Sequence, residues 1–197
     1  MSDIKIIISE QGEIELERLQ FDIVNTVQRI LTNIPTQDIK GISNIFITDL
    51  PFKIKNDKTS THAAYFEKFN DRPAYIEIYL KNIYSHIKST ESFLMMLPIQ
   101  EYGLAIALFH EIGHHIRINR THNIGKDKSE KYAALYAKEQ ERKYVANNKF
   151  NIMSCLENMS IMAKQGKLSS EIVGKIIDGW QKKCRELNGN NGDVVIN

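Results

Sequence analysis

Residues 102–109 read Tyr-Gly-Leu-Ala-Ile-Ala-Leu-Phe, apolar on every side of a helix. Such a helix cannot lie half in water, so other elements must wrap it and the core must form around it. The residues that follow directly are His110-Glu111-Ile112-Gly113-His114, an H-E-x-x-H pattern. Two histidines and a glutamate at the end of a buried helix are costly as inert core, because each buried polar group needs a partner. With six His in 197 residues the pattern arises by chance on the order of 0.01 times.

The spacing points to metal chemistry. His110 and His114 are one helical turn apart and lie on one face. Both imidazoles can then reach one Zn²⁺ at ~2.0–2.1 Å. Glu111 is rotated about 100° from His110, beside such a metal and placed to take a proton from its bound water. Gly113 costs roughly 1 kcal/mol against Ala inside a helix, which implies close approach of a strand or a substrate.

A catalytic zinc has three protein ligands and an open position, so a third ligand is needed. Arg120 stands where the longer H-E-x-x-H-x-x-G-x-x-H pattern needs His, so that pattern fails. Glu130 is the leading candidate: it lies in the first turn of the next helix, and an antiparallel return brings that turn beside His114. Ala134 and Ala137 would then let the two helices pack closely. The competing reading of Glu130 is the N3 position of a capping box with Asp127 as N-cap. Glu139, Asp127 and His122 are reserve ligands. His115, Tyr132 and Tyr136 are candidates for stabilising a transition state, against the plainer readings of a solvated helix-end histidine and two packing tyrosines.

Around this centre the chain reads as α+β. Residues 4–9 and 42–48 form strands, and 62–68 with 74–80 form a hairpin across the turn Phe69-Asn70-Asp71-Arg72-Pro73. Leu16, Leu19, Ile23, Val27 and Ile30 recur at steps of three and four and predict one amphipathic helix. Pro98 separates a short helix over 91–97 from the H-E-x-x-H helix. Residues 128–147 and 150–164 read as two helices, and a last one follows Ser169 with Val173, Ile176, Trp180, Cys184 and Leu187 on one face. Met95, Met96, Met153, Met159 and Met162 read as core fillers.

Composition excludes several classes. The net charge is +2 without a basic stripe, which gives no strong nucleic-acid signal. Cys155 and Cys184 form no Cys-x-x-Cys pair, which excludes a thiolate zinc ribbon within the chain and fits a reducing compartment. The first nine residues show no signal peptide. The longest apolar run, Leu104 to Phe109, is far short of the ~20 residues of a membrane span. The expectation is a cytoplasmic protein without a membrane partner.

His-Glu-Ile-Gly-His followed by Glu130-Lys-Tyr-Ala-Ala-Leu-Tyr-Ala resembles the H-E-x-G-H … E-x-x-A-x-x-x-A pattern of gluzincin-type zinc metallopeptidases. Among these it looks most like the compact ImmA/IrrE type, which cleaves transcriptional repressors. The resemblance covers roughly residues 42–141. Those families often carry Asn or Asp where this chain has Ala134.

The resemblance implies a minimal zincin-like domain over 1–148, with a small, mostly antiparallel sheet packed on the two zinc helices. An edge strand, 62–68 or 74–80, would run along the cleft. Residues 149–188 would be a helical C-terminal extension and 189–197 a flexible tail. The implied cofactor is one Zn²⁺ per chain, held by His110, His114 and Glu130, with Glu111 as the catalytic base. The implied partner is a protein or peptide substrate, by analogy a transcriptional repressor. The alternative from another class is a non-catalytic zinc-binding regulatory or interaction module.

Overall fold

The computed structural model describes residues 4–50, 61–85, 87, 89–120 and 126–188. The chain is α+β, with a small four-stranded sheet followed by helices. Strand β1 (Lys5–Ile8) leads into α1 (Glu10–Leu19), whose N-cap Ser9 accepts the Gly12 N–H at 3.1 Å. Glu10 and Glu13 lie in the first turn, favoured there by the exposed N–H groups.

Helix α1 stops at Gln20, in the left-handed region at φ 51, and Asp22 caps a new helix, α2 (Ile23–Thr32), by accepting the Asn25 N–H at 3.1 Å. The single helix expected over Leu16 to Ile30 is therefore two. The break escapes a periodicity reading because Leu16, Leu19, Ile23, Val27 and Ile30 all still face the core.

A short α3 (Thr36–Ile39) follows Pro35, and β2 (Ile42–Thr48), β3 (Ala63–Phe66) and β4 (Ala74–Tyr79) complete the sheet in the order β1-β2-β4-β3. The hairpin β3–β4 is antiparallel as expected. The other two pairings, β1–β2 and β2–β4, are parallel, so the sheet is mostly parallel where a mostly antiparallel one was expected. For β1–β2 the reason is topological: α1 to α3 return the chain to the starting end of the sheet before β2 begins; β2 and β4 run parallel because β3, antiparallel to β4, comes between them in the chain. Ile45, Ile47, Ile76 and Ile78 are fully buried on one sheet face, each contributing about 1.5–3 kcal/mol by leaving water.

Two short helices, α4 (Leu80–Tyr84) and α5 (Thr90–Met95), lead to α6 (Leu97–Arg120). Pro98 sits in the first turn of α6, where its missing N–H costs nothing. Leu104, Ala105, Leu108 and Phe109 are fully enclosed, but Tyr102, Gly103, Ile106 and Ala107 are only partly buried, so the segment expected to be buried all round is enclosed on one side and half-buried on the other.

The next helix, α7 (Lys126–Lys164), runs unbroken for 39 residues, so the two helices expected over 128–164 are one. Asn147, Asn148 and Lys149 lack the Pro or Gly needed to stop it, and Asn148 Nδ2 donates back to the Tyr144 carbonyl at 2.9 Å. The division expected at residue 148 thus falls inside a continuous helix. The first half of α7 packs on α6 through Ala137 and Tyr144. The second half packs through Ile152, Leu156 and Met159 against Val173, Ile176 and Trp180 of α8 (Ser170–Asn188). Met159 is buried and Met96 and Met153 are partly so, as core fillers. Residues 51–60 and the tail expected over 189–197 lie outside the described residues. Among the described residues no helix is long and apolar enough to cross a membrane.

Candidate metal centre

The pattern of residues 110–115 is two interleaved i,i+4 pairs on α6. His110 and His114 face α7; Glu111 and His115 face the sheet. Each pair meets its own partners.

On the α7 side, His110 Nε2 and His114 Nε2 are 3.2 Å apart. Glu130 Oε2 lies 3.3 Å from the first and 3.6 Å from the second. A tetrahedral zinc with bonds of ~2.0–2.1 Å sets its ligand atoms about 3.3–3.4 Å apart. The donor set therefore fits such an ion in both chemistry and spacing. Three electron-rich atoms converging in this way require a proton or a cation among them. Among the described residues this is the one group of three or more such side chains that could hold a metal ion. His114 Nδ1 lies 3.0 Å from Ser129 Oγ, a contact that orients the ring with Nε2 toward the cluster. Burial lowers the His114 pKa, against the pull of the Glu130 charge, and so favours the neutral, ligating imidazole. The His110 side chain is 32% exposed and that of Glu130 51%, so the cluster is open to solvent on one side.

The two helices are held together at Gly113. A Cβ there would stand 2.7 Å from Ala133 Cα and 3.0 Å from the Ala133 carbonyl oxygen. The close approach implied by Gly113 is thus made by the neighbouring helix, not by a strand or a substrate. Ala133 and Ala137 are the small residues at this seam, while Ala134, expected there with Ala137, is exposed. The residues three and seven beyond Glu130 face α6; the residue four beyond it does not.

On the sheet side, Glu111 is 8% exposed, and its Oε2 accepts the backbone N–H of Tyr65 in β3 at 2.7 Å. Burial pushes the Glu111 carboxyl up to about 8; the Tyr65 N–H works against this shift, and the Glu130 charge adds to it. His115 is buried, with Nε2 3.0 Å from the Lys40 carbonyl oxygen and Nδ1 3.1 Å from Tyr65 Oη. Burial lowers its pKa. His115 is therefore a buried joint between elements, not a solvated histidine and not a donor toward the open side.

The remaining candidates sort by position. Tyr136 Oη donates to Asp38 Oδ2 at 3.0 Å, so its hydroxyl is turned toward α3. Tyr132 is half-buried against the main core. Glu139 is exposed and pairs with Lys143 at 2.8 Å, away from the cluster, because nine residues of helix carry it about 13 Å along the axis from Glu130. His122 and the Asp127 side chain lie outside the described residues. Sequence reasoning missed Ser129 and Tyr65, and it put Ala134 at the seam although the E-x-x-A-x-x-x-A pattern falls on Ala133. Ser129 adjoins Glu130, and Tyr65 lies within the expected edge strand, but no spacing singles either of them out.

Comparison of the chain with known protein families, with curated proteins and with solved structures finds no match. The assignment of a function rests on the site.

Proposed function

We propose that this protein is a zinc-dependent metallopeptidase that hydrolyses peptide bonds in a protein or peptide substrate. The observation that carries the reading is the triangle His110 Nε2, His114 Nε2 and Glu130 Oε2, with sides of 3.2, 3.3 and 3.6 Å, beside the buried Glu111. The three side chains would hold one zinc per chain and leave a solvent-facing position open. When bound, zinc supplies Lewis acidity toward the scissile carbonyl and acidifies a water.

The chain's own residues do the rest. Glu111 Oε2 is held by Tyr65 N–H, which leaves Oε1 to take the proton of the attacking water. That proton then passes from Oε1 to the leaving amine, the ordinary cycle of a general base turned acid. Burial of Glu111 excludes bulk water, which would otherwise compete for the same oxygen. The edge strand β3 lies next to Glu111 and offers outward main-chain groups with which an extended peptide could pair. The resemblance of the motif adds a transcriptional repressor as the substrate to try first. Two free cysteines favour a reducing, cytoplasmic setting.

The test is metal content and cleavage together. Wild type is expected to hold about one zinc per chain and to cut peptides, and Glu111→Gln to hold the same zinc and cut none. Zinc without any cleavage across a broad peptide mixture would favour the non-catalytic zinc-binding module. No zinc after refolding with zinc would leave a hydrogen-bonded His-His-Glu cluster and no peptidase.

A further inference from the structure

Tyr65 makes two contacts with α6, one through its backbone and one through its side chain, and they fall on Glu111 and His115, one helical turn apart. In the β3–β4 ladder, Tyr79 N–H donates to the His62 carbonyl at 2.9 Å. Pairs two residues further along carry the next ladder bonds, so Tyr65, which lies opposite Ile76 in between, points its N–H away from β4 to the open edge. An edge N–H of this kind ordinarily faces water. Here it holds the Glu111 carboxylate at 2.7 Å.

The place of that N–H depends on the place of β3, an edge strand with one neighbour. The Tyr65 side chain supplies the second hold. Its ring packs edge-on against the His115 ring, with centroids 5.3 Å apart. A carbonyl oxygen only accepts, so the 3.0 Å contact with Lys40 O is met by a His115 proton on Nε2; the Asn119 amide nitrogen, 3.0 Å from Nε2 and 3.4 Å from Nδ1, then donates to Nδ1. Nδ1 carries the lone pair, and the Tyr65 hydroxyl also donates to it, at 3.1 Å. The ring also lies beside the turn before β2, with room for ordinary van der Waals contact. Gly41 has φ +100, and a Cβ there would stand 3.6 Å from His115 Cε1. The Lys40 carbonyl just after α3, the Tyr65 hydroxyl and the Asn119 amide together surround the two ring nitrogens of His115.

We infer that Tyr65 and His115 are positioning residues for Glu111: the Lys40–His115–Tyr65 hydrogen-bond chain fixes the edge strand against α6 and thereby holds the Tyr65 N–H that orients the Glu111 carboxylate. The inference rests on the metallopeptidase reading for its consequence, since an oriented Glu111 matters only if Glu111 moves a proton. Neither residue touches the reacting atoms.

Tyr65→Phe keeps the ring and removes the hydroxyl, and His115→Gln gives an independent break in the same chain. Each is loaded with zinc and given a proteome-derived peptide mixture, and the best-cut peptide is resynthesised for kcat and KM. Both variants are expected to keep about one zinc per chain and a KM within about threefold, and to lose about ten- to hundredfold in kcat, the scale of a small misplacement of a catalytic group. The double variant loses no more than the worse single one.

In parallel, NMR follows the residue-65 amide proton and the Glu111 carboxyl carbon. Both are expected to shift in Tyr65→Phe and in His115→Gln, which a merely stabilising contact elsewhere would not cause. Unchanged kcat with unmoved resonances overturns the inference, and so does a loss carried by KM or by zinc content. A zinc-loaded wild type that cuts nothing sinks the peptidase reading instead. The two resonances then still decide whether Tyr65 and His115 hold Glu111.

Discussion

The two faces of α6 solve different problems with the same spacing. On one face, His110 and His114 meet Glu130 and Ser129, which lie on the next helix within twenty residues of them. On the other, Glu111 and His115 meet Tyr65 and the Lys40 carbonyl, which lie 46 and 75 residues away. The first face is polar, partly exposed and built from groups that could hold a metal ion. The second is buried, and each polar atom named in its chain already has a partner. On the proposed function the difference would separate holding a metal from aiming a base: ligands must converge and stay open to substrate, whereas a base must be dry and rigid.

The sharpest test of that separation is substitution of one residue on each face. Glu111→Gln is expected to lower turnover by roughly 10³-fold or more while metal content stays near one per chain. His110→Ala and Glu130→Ala are expected to lose most of the bound zinc, and Glu139→Ala none of it, as read by metal analysis after gel filtration. If Glu111→Gln lost zinc as fully as Glu130→Ala, the two faces would not be separable.

Ser129→Ala comes next. It leaves all three metal donors in place and removes the contact that orients His114. Zinc affinity should fall about 10–100-fold, measured by competition with a chelator. An unchanged affinity would mean that the His114 ring is set by packing alone.

The smallest expected effects are on stability. Gly113→Ala drives a methyl against Ala133 Cα and should destabilise the fold by about 1–3 kcal/mol, weakening zinc binding as α6 and α7 part. Gly103→Ala lies on the same helix with nothing within 4 Å of the added carbon, and should stabilise it by about 0.5–1 kcal/mol. Denaturant unfolding of the two variants reads both signs. A stable Gly113→Ala would show that the helix seam gives way more easily than its contacts imply.

The face of α6 turned to α7 was largely legible in the sequence and the face turned to the strand was not. Residues four apart on a helix share a face whatever the fold, so His110 and His114 follow from local geometry. Glu130 follows from one further assumption, an antiparallel return. The same register made Ala134 the expected seam residue; the seam is at Ala133, because helix rotation is decided by which small residue meets Gly113. His115 looked like a spare histidine because nothing near it in the chain marks Tyr65 or Lys40 as partners. Tyr136 looked near enough to the cluster to serve it, yet its hydroxyl goes to Asp38, 98 residues away.

The sequence alone determined the types of the longer elements, though not the short helices α3 and α4, together with the antiparallel hairpin and the two-histidine pair. All of these are set by periods and spacings within one helix or one turn. Tertiary structure decided the parallel strand pairings and the partners of Glu111 and His115. Each of these depends on contacts between segments far apart in the chain, whose relative placement is set by how the whole core packs and leaves no mark in local sequence.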